Sequence, residues 1–285
     1  MKLTHRLLTD APLIEGGALS ALLHDFQVSA SRLACLSETQ AAEHPFHRLL
    51  REKMKPQMSV REDGIAVVPV EGVLARKPDV FELFYGVEDS SNVLDMVESA
   101  ARNPDVRGVL LAVDSPGGFL TGGPEIADAV KATGKQKPVV AWVGGTMASL
   151  AYYIGSQASQ VVASRSAQVG SIGVFTTHVD YTKLLESAGI KIEVIKNKEA
   201  DFKAAGIMGT ALSDEQRTHI QERIQTSFKD FKRAVKAARP RIEDNAMRGQ
   251  VFSGIEAKAA GLVDRVGDMS FAASVLRSAI KVRCK

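Results

Sequence analysis

The feature that most constrains this chain is the regular exchange of glycine-bounded apolar runs with amphipathic helical patterns between Gly64 and about Ile195. GIAVVPVEGVL, starting at Gly64, is a β-rich run of the kind that forms a strand buried on both faces. Ser91–Arg102 then places Val93, Met96, Val97 and Ala100 on one helical face, and Asn103-Pro104 ends it. GVLLAVDSPGG predicts a strand closing in a Gly-Gly turn, Pro124–Ala132 a helix, PVVAWVGG a strand and SLAYYIGSQAS a helix. QVVAS, VGSIGVF and IKIEVI follow as strands, with a helix over Tyr181–Ala188 between the last two. Strands joined through helices lie parallel, so the expected architecture is a layered α/β domain with a mostly parallel sheet.

Two segments stand outside this alternation. A long helix is expected from Asp214 to about Ala238, opened by a Ser213/Gln216 capping box. Its buried stripe is Ile220, Ile224, Phe228, Phe231 and Val235; Lys229, Lys232, Arg233 and Lys236 on the other side read best as a solvated face. Residues 1–60 form the second segment, expected as a helical arm with Leu19, Leu22, Leu23 and Phe26 on one face. Residues 61–285 are then the main domain. The N-terminus lacks the apolar run of a signal peptide, and no stretch of eighteen apolar residues occurs, which predicts a cytoplasmic protein with no membrane anchor. A net charge of +3 gives no reason to expect a nucleic-acid partner, and Cys35 and Cys284 have no metal-ligand spacing. No cofactor or metal is expected.

Open α/β sheets place their sites at glycine turns beyond strand ends, and three such turns occur here. In Asp114-Ser115-Pro116-Gly117-Gly118, glycines let backbone N–H groups face a cleft, as half of an oxyanion hole does, though a plain tight turn reads equally well. In Gly144–Tyr153, Ser149 joins a strand to a helix among small residues; taken alone it reads as an N-capping serine. Gly170-Ser171-Ile172-Gly173 is the third. A nucleophilic serine needs a base. Of six histidines, only His178 in TTHVDY is a candidate, and no GxSxG elbow accompanies it. A lysine can serve instead if its pKa falls from ~10.4 to roughly 7–8, which an apolar setting can achieve. Lys203, between Phe202 and Ala204-Ala205-Gly206, fits better than Lys196 or Lys198, with Asp201 nearby as the complication.

Five segments in order, DSPGG, GGTMASLAYY, VGSIGVF, FKAAG and VFSGIEAKAAGLVDRVG, resemble the signal peptide peptidase A family of serine–lysine peptidases, most closely its soluble phage capsid-assembly members. The resemblance runs from about Gly64 to Gly267 and implies a ClpP/crotonase-like layered fold. It implies Ser149 as nucleophile, Lys203 as general base and Ser171 as the residue that orients the lysine. Gly117 or Gly118 and the Ser149 N–H would form the oxyanion hole, and Ala257 and Gly261 would be packing residues. It further implies a homo-oligomer whose active sites combine neighbouring subunits, and protein substrates such as phage scaffold and head proteins, met in the host cytoplasm or procapsid. The stretch from Gly189 to Lys203 is slightly longer than the family pattern. The alternatives are a bacterial signal-peptide-peptidase-like protease, a crotonase-like acyl-CoA enzyme, and a non-catalytic assembly factor.

Overall fold

The computed structural model describes residues 12–14, 55–79, 82–83, 85–207 and 209–283. In chain order its elements are β1 (Pro12–Ile14), β2 (Ser59–Val60), β3 (Ile65–Ala75), β4 (Val87–Asp89), α1 (Ser90–Arg102), β5 (Gly108–Phe119), α2 (Gly123–Gln136), β6 (Val139–Ala148), α3 (Leu150–Gly155), β7 (Gln160–Ala163) and β8 (Gln168–Gly170). They continue with α4 (Thr182–Ser187), α5 (Asp214–Ala238), β9 (Val251–Ser253), α6 (Gly254–Ala259), β10 (Arg265–Val266) and α7 (Met269–Arg283).

The main path of the sheet runs β10-β7-β6-β5-β3-β2. All its pairs are parallel except β2 on β3. β4 adds parallel to β3, β8 parallel to β6, β9 antiparallel to β8 and β1 antiparallel to β5. This is the layered, mostly parallel α/β architecture that the alternation predicts. The first halves of the central strands are apolar because both faces are covered. One face, with Val68, Val70, Val109, Leu111, Ala141 and Val143, packs under Val93 and Val97 of α1, Ile126 and Val130 of α2, and Leu150 and Ile154 of α3. The other face, with Ile65, Leu110, Val140 and Val162, is covered by Ala272, Leu276 and Ile280 of α7. Fully burying one such aliphatic side chain contributes about 1.5–3 kcal/mol, so this last helix is part of the core. Gly108 lets it approach, since a Cβ there would lie 2.9 Å from Ile280 Cδ1.

Helix α5 begins with the expected capping box of Ser213 and Gln216. Only its C-terminal half is buried, through Phe231 and Val235, with Phe231 stacked on Tyr153 at 4.8 Å. Ile220, Ile224 and Phe228 are half-buried, so the predicted stripe is covered at one end only. On the outer face, Lys232 and Lys236 both pair with Asp244, and Arg233 pairs with Asp230. The helix is locked at its end by Arg239, 6% exposed, whose guanidinium reaches Asp264 at 2.7 Å and the Ser156 and Ala158 carbonyls at 3.1 and 2.5 Å.

Three expectations differ from what is observed. DSPGG is not a turn: β5 continues through it to Phe119 because β3 and β1 pair with Gly117 and Gly118 from either side. VGSIGVF is a strand only at Gln168–Gly170. IKIEVI forms no strand, and Ile190, Ile192, Val194 and Ile195 are exposed rather than paired. Alternating apolar residues make a strand only where a sheet edge receives them. The proposed helical arm over residues 1–60 lies mostly outside the described residues; its described pieces, Pro12–Ile14 and Ser59–Val60, are strands.

Candidate active site

The site begins where β5 and β6 part. Their residues pair one to one from Val109↔Val139 to Val113↔Val143, and the next pair is Ser115↔Met147. Strand β6 therefore carries two extra residues there, at Gly144–Thr146. Asp114 holds this bulge: its carboxylate accepts the Thr146 N–H at 2.8 Å. It also fills the space a side chain at position 145 would need, since a Cβ on Gly145 would lie 2.4 Å from Asp114 Oδ1. Beyond the bulge β6 changes partner and runs with β8, ending at Ala148↔Gly170.

Ser149 comes next, with φ 53 and ψ −120, a backbone position that costs a non-glycine residue on the order of 1–3 kcal/mol. Two bonds hold it there: its N–H donates to the Gly170 carbonyl at 2.9 Å, and its carbonyl accepts from the Tyr153 N–H at 2.9 Å. The residue is 1% exposed, and no hydrogen bond engages its hydroxyl among the described residues. Its side chain does not cap α3. The N-cap reading is thereby removed, and what remains is a serine at a sharp strand-to-helix turn, the backbone arrangement that a nucleophile elbow uses.

The expected oxyanion donors need correcting. The Ser149 N–H is already committed to Gly170, and the Gly117 N–H donates to Ser115 Oγ at 3.1 Å. The Leu150 N–H, at the first helical position, has no carbonyl of its own helix to meet. Gly118 is where two strands close in. A Cβ there would lie 1.9 Å from the Leu74 carbonyl oxygen. Ser115, wholly buried, also donates to the Gly72 carbonyl at 2.6 Å, tying the β3 irregularity to the Gly117 backbone. Asp114, Ser115 and Leu150 hold or flank these turns and were not singled out from the sequence. Two polar residues closing the apolar run GVLLAV were the available signal.

Ser171, half-buried with φ 50, follows directly on Gly170, and its N–H donates to the Gln250 carbonyl at 2.6 Å. The structure thus brings Ser149 and the Gly170-Ser171 turn together. Lys203 is exposed, with no hydrogen bond to its side chain among the described residues. Its neighbours dock on the start of α5, where Phe202 packs against the His219 ring at 4.8 Å and the Asp201 carbonyl accepts from Gln216 at 2.6 Å. The Asp201 carboxylate pairs with Lys196 at 2.9 Å and so leaves Lys203 unpaired with it. His178 is half-buried, and neither of its ring nitrogens has a hydrogen-bond partner among the described residues, so no bond there marks it as the base for Ser149. Ala257 is wholly buried and Gly261, at φ +77, lies against the Arg241 carbonyl.

A cleft of about 590 Å³ opens beyond Phe119, between Leu120–Glu125 and the first half of α5, with Arg76, Glu125, His219 and Arg223 on its walls. Among the described residues no group of three His, Cys, Asp or Glu side chains could hold a metal ion, and no helix is long and apolar enough to cross a membrane.

Comparison with known proteins gives a consistent picture. The head-tail preconnector protein GP5 of Enterobacteria phage P21 is 34% identical over 221 residues, which is 76% of this chain and 44% of that protein. The capsid assembly protease C of Escherichia phage lambda is 30% identical over 223 residues, 78% of this chain and 50% of that one. The chain therefore spans about half the length of these relatives. A solved structure of an enoyl-CoA hydratase/isomerase family member aligns with a TM-score of 0.40 at 16% identity, over 79% of this chain and 76% of that chain. The profile of peptidase family S49 matches residues 131–283, from α2 through Ser149, Ser171 and Lys203 to the end of α7. The chain belongs to peptidase family S49.

Proposed function

We propose that this chain is a serine endopeptidase in which Ser149 is the nucleophile and Lys203 the general base. The carrying observation is Ser149 itself: a buried serine at φ 53 with its backbone bonded on both sides and its hydroxyl left unbonded among the described residues. Ordinary turns do not keep a non-glycine residue in such a position; sites that need a fixed side chain do. Neutral Lys203 would take the proton as Ser149 Oγ attacks a peptide carbonyl. The Leu150 N–H and the Gly118 N–H would hold the oxyanion, each such donor worth about 3 kcal/mol. Protonated Lys203 then gives its proton to the leaving amine, and water releases the acyl-enzyme. Ser171 would orient the lysine.

Within one protomer Lys203 stands exposed, so the dyad is completed by a second copy. The segment that carries it offers an unusual amount of apolar surface, including Leu184, Ile192, Phe202 and Ile195, the last 91% exposed. Covering it would remove Lys203 from water. An extended substrate would pair with the β5 edge at Gly117–Phe119 and lead on into the cleft beside α5. On this reading the substrates are capsid proteins, scaffold among them; the similarity to the capsid assembly protease C of phage lambda supports it.

The test is cleavage of an unfolded protein by wild type, Ser149→Ala and Lys203→Ala, each sized for assembly. Both variants are expected to assemble and to lose at least about 100-fold in rate. Mixing the two inactive variants should restore part of the activity, because a Ser149 from one copy then meets a Lys203 from the other. Normal cutting by Lys203→Ala would remove the lysine from the mechanism and return His178 as base. No recovery on mixing would place the dyad within one chain.

A further inference from the structure

Strand β5 has two edges, and beyond Ser115 their partners change. One edge stays with β3, which pairs as far as Val73↔Gly117 and Leu74↔Gly118. The other edge belongs to β6 up to Ser115↔Met147 and is then released as β6 turns to β8. Yet Gly117, Gly118 and Phe119 also pair with β1, antiparallel, in the register Ile14↔Gly117, Leu13↔Gly118 and Pro12↔Phe119. With β3 on one side, β1 must lie on the side that β6 has left. Met147 is level with Ser115, and two residues further along each strand are Ser149 and Gly117. The backbone of Leu13 and Ile14 is therefore level with Ser149, and the strand runs from there past Phe119 toward the cleft.

That is the position the proposed function gives to an extended substrate. Resting on that reading, we infer that Pro12–Ile14 is a resident competitor for the substrate edge: an intrachain peptide that holds Gly117–Phe119 until an incoming chain displaces it. Several features suit this role. Strand pairing is made through the main chain, so it tolerates many sequences, as strand addition does. It covers three residues, too few to hold permanently, since short strands with one partner are marginal. The occupant is tethered, and a tethered segment has an effective concentration in the millimolar range, enough to compete with dilute substrate. Access to Ser149 would then depend on substrates presented at high local concentration, as within an assembly, while stray chains are refused.

The test removes catalysis from the readout. In the full chain carrying Ser149→Ala, binding of a fluorescein-labelled peptide of residues 9–18 is compared with and without Leu13→Pro and Ile14→Pro. Successive N–H groups of a strand point to opposite sides, so the two prolines together remove whichever one faces β5. The proline chain is expected to bind the peptide at least about tenfold more tightly. Amide exchange at Gly117–Phe119 should be faster in it and slow again when peptide is added. Replacing Pro12, Leu13 and Ile14 together by glycine should act in the same direction and serves if the prolines disturb folding. Equal affinity in all backgrounds, or no binding to any, overturns the inference. Because no bond is cut in this assay, failure of the serine–lysine mechanism would leave its result intact. In the active enzyme the same prolines should lower KM with kcat unchanged, whereas a merely structural role would raise KM or lower both.

Discussion

Ser149 and Gly118 bear the tightest constraints in the site. Ser149 keeps a left-handed backbone because its N–H and carbonyl are both bonded, and Gly118 sits where β3 and β1 press in from opposite sides. Alanine at 118 would put a Cβ 1.9 Å from the Leu74 carbonyl oxygen, an overlap that only backbone movement can relieve. Overpacking of this kind costs typically 1–3 kcal/mol, and the shift falls on the strand that frames Ser149. Gly118→Ala is expected to lower the urea midpoint and to slow labelling of Ser149 by a fluorophosphonate. A variant that labels at the wild-type rate would show that Gly118 does not shape the site. The glycines of DSPGG were legible in the sequence as special. Their reason was not, because it depends on Leu74, more than forty positions away in the chain.

Among the elements, α5 is the one whose two ends have different tasks. Its C-terminal end is fastened by Phe231 on Tyr153 and by Arg239, which joins Asp264 and two carbonyls of the turn after α3. Asp264 in turn accepts the Val161 N–H at 2.7 Å, so one ion pair links α5, α3 and β7. Removing one partner of a buried pair leaves the other unsatisfied, at a cost of about 3 kcal/mol where, as here, the carboxylate keeps some contact with solvent. Arg239→Ala should therefore lose about that much in chemical denaturation, with Arg239→Lys recovering only part, because an ammonium cannot make the forked set of bonds. The N-terminal end of α5 is looser and carries the Phe202–Lys203 segment against it. Capping box, length and helical period were all readable beforehand. The half-covered stripe was not, since the residues that would cover Ile220 and Ile224 come from no neighbouring element of the sequence.

At the scale of the molecule, the sheet core is well covered, whereas the segment between β8 and α5 buries little of its apolar surface. Among the described residues from 173 to 213, α4 is the one regular element, and Val179, Leu184, Ile192, Ile195 and Phe202 lie in the open. Apolar surface gathered in this way marks an interaction site. Ile195→Asp, placed on the most exposed of these side chains, is expected to reduce the assembly to smaller species in light scattering. It should reduce cleavage in parallel while leaving the far-ultraviolet circular dichroism unchanged. Unaltered size with lost activity would instead tie Ile195 to substrate.

What the sequence by itself determined is the part set by local pattern. The apolar strands bounded by glycines, the helices with their caps, and the order of the five segments that carry the family resemblance are all properties of neighbours in the chain. Only the tertiary structure decided which backbone groups are free. It showed that the Ser149 and Gly117 N–H groups are taken and made DSPGG a strand by supplying β3 and β1 on its two edges. It also kept IKIEVI out of the sheet by supplying no edge, and left Lys203 in solvent. The physical reason is the same each time: a backbone donor or an apolar side chain is satisfied by whatever the fold brings beside it, and pairing between distant segments is not written in local periodicity.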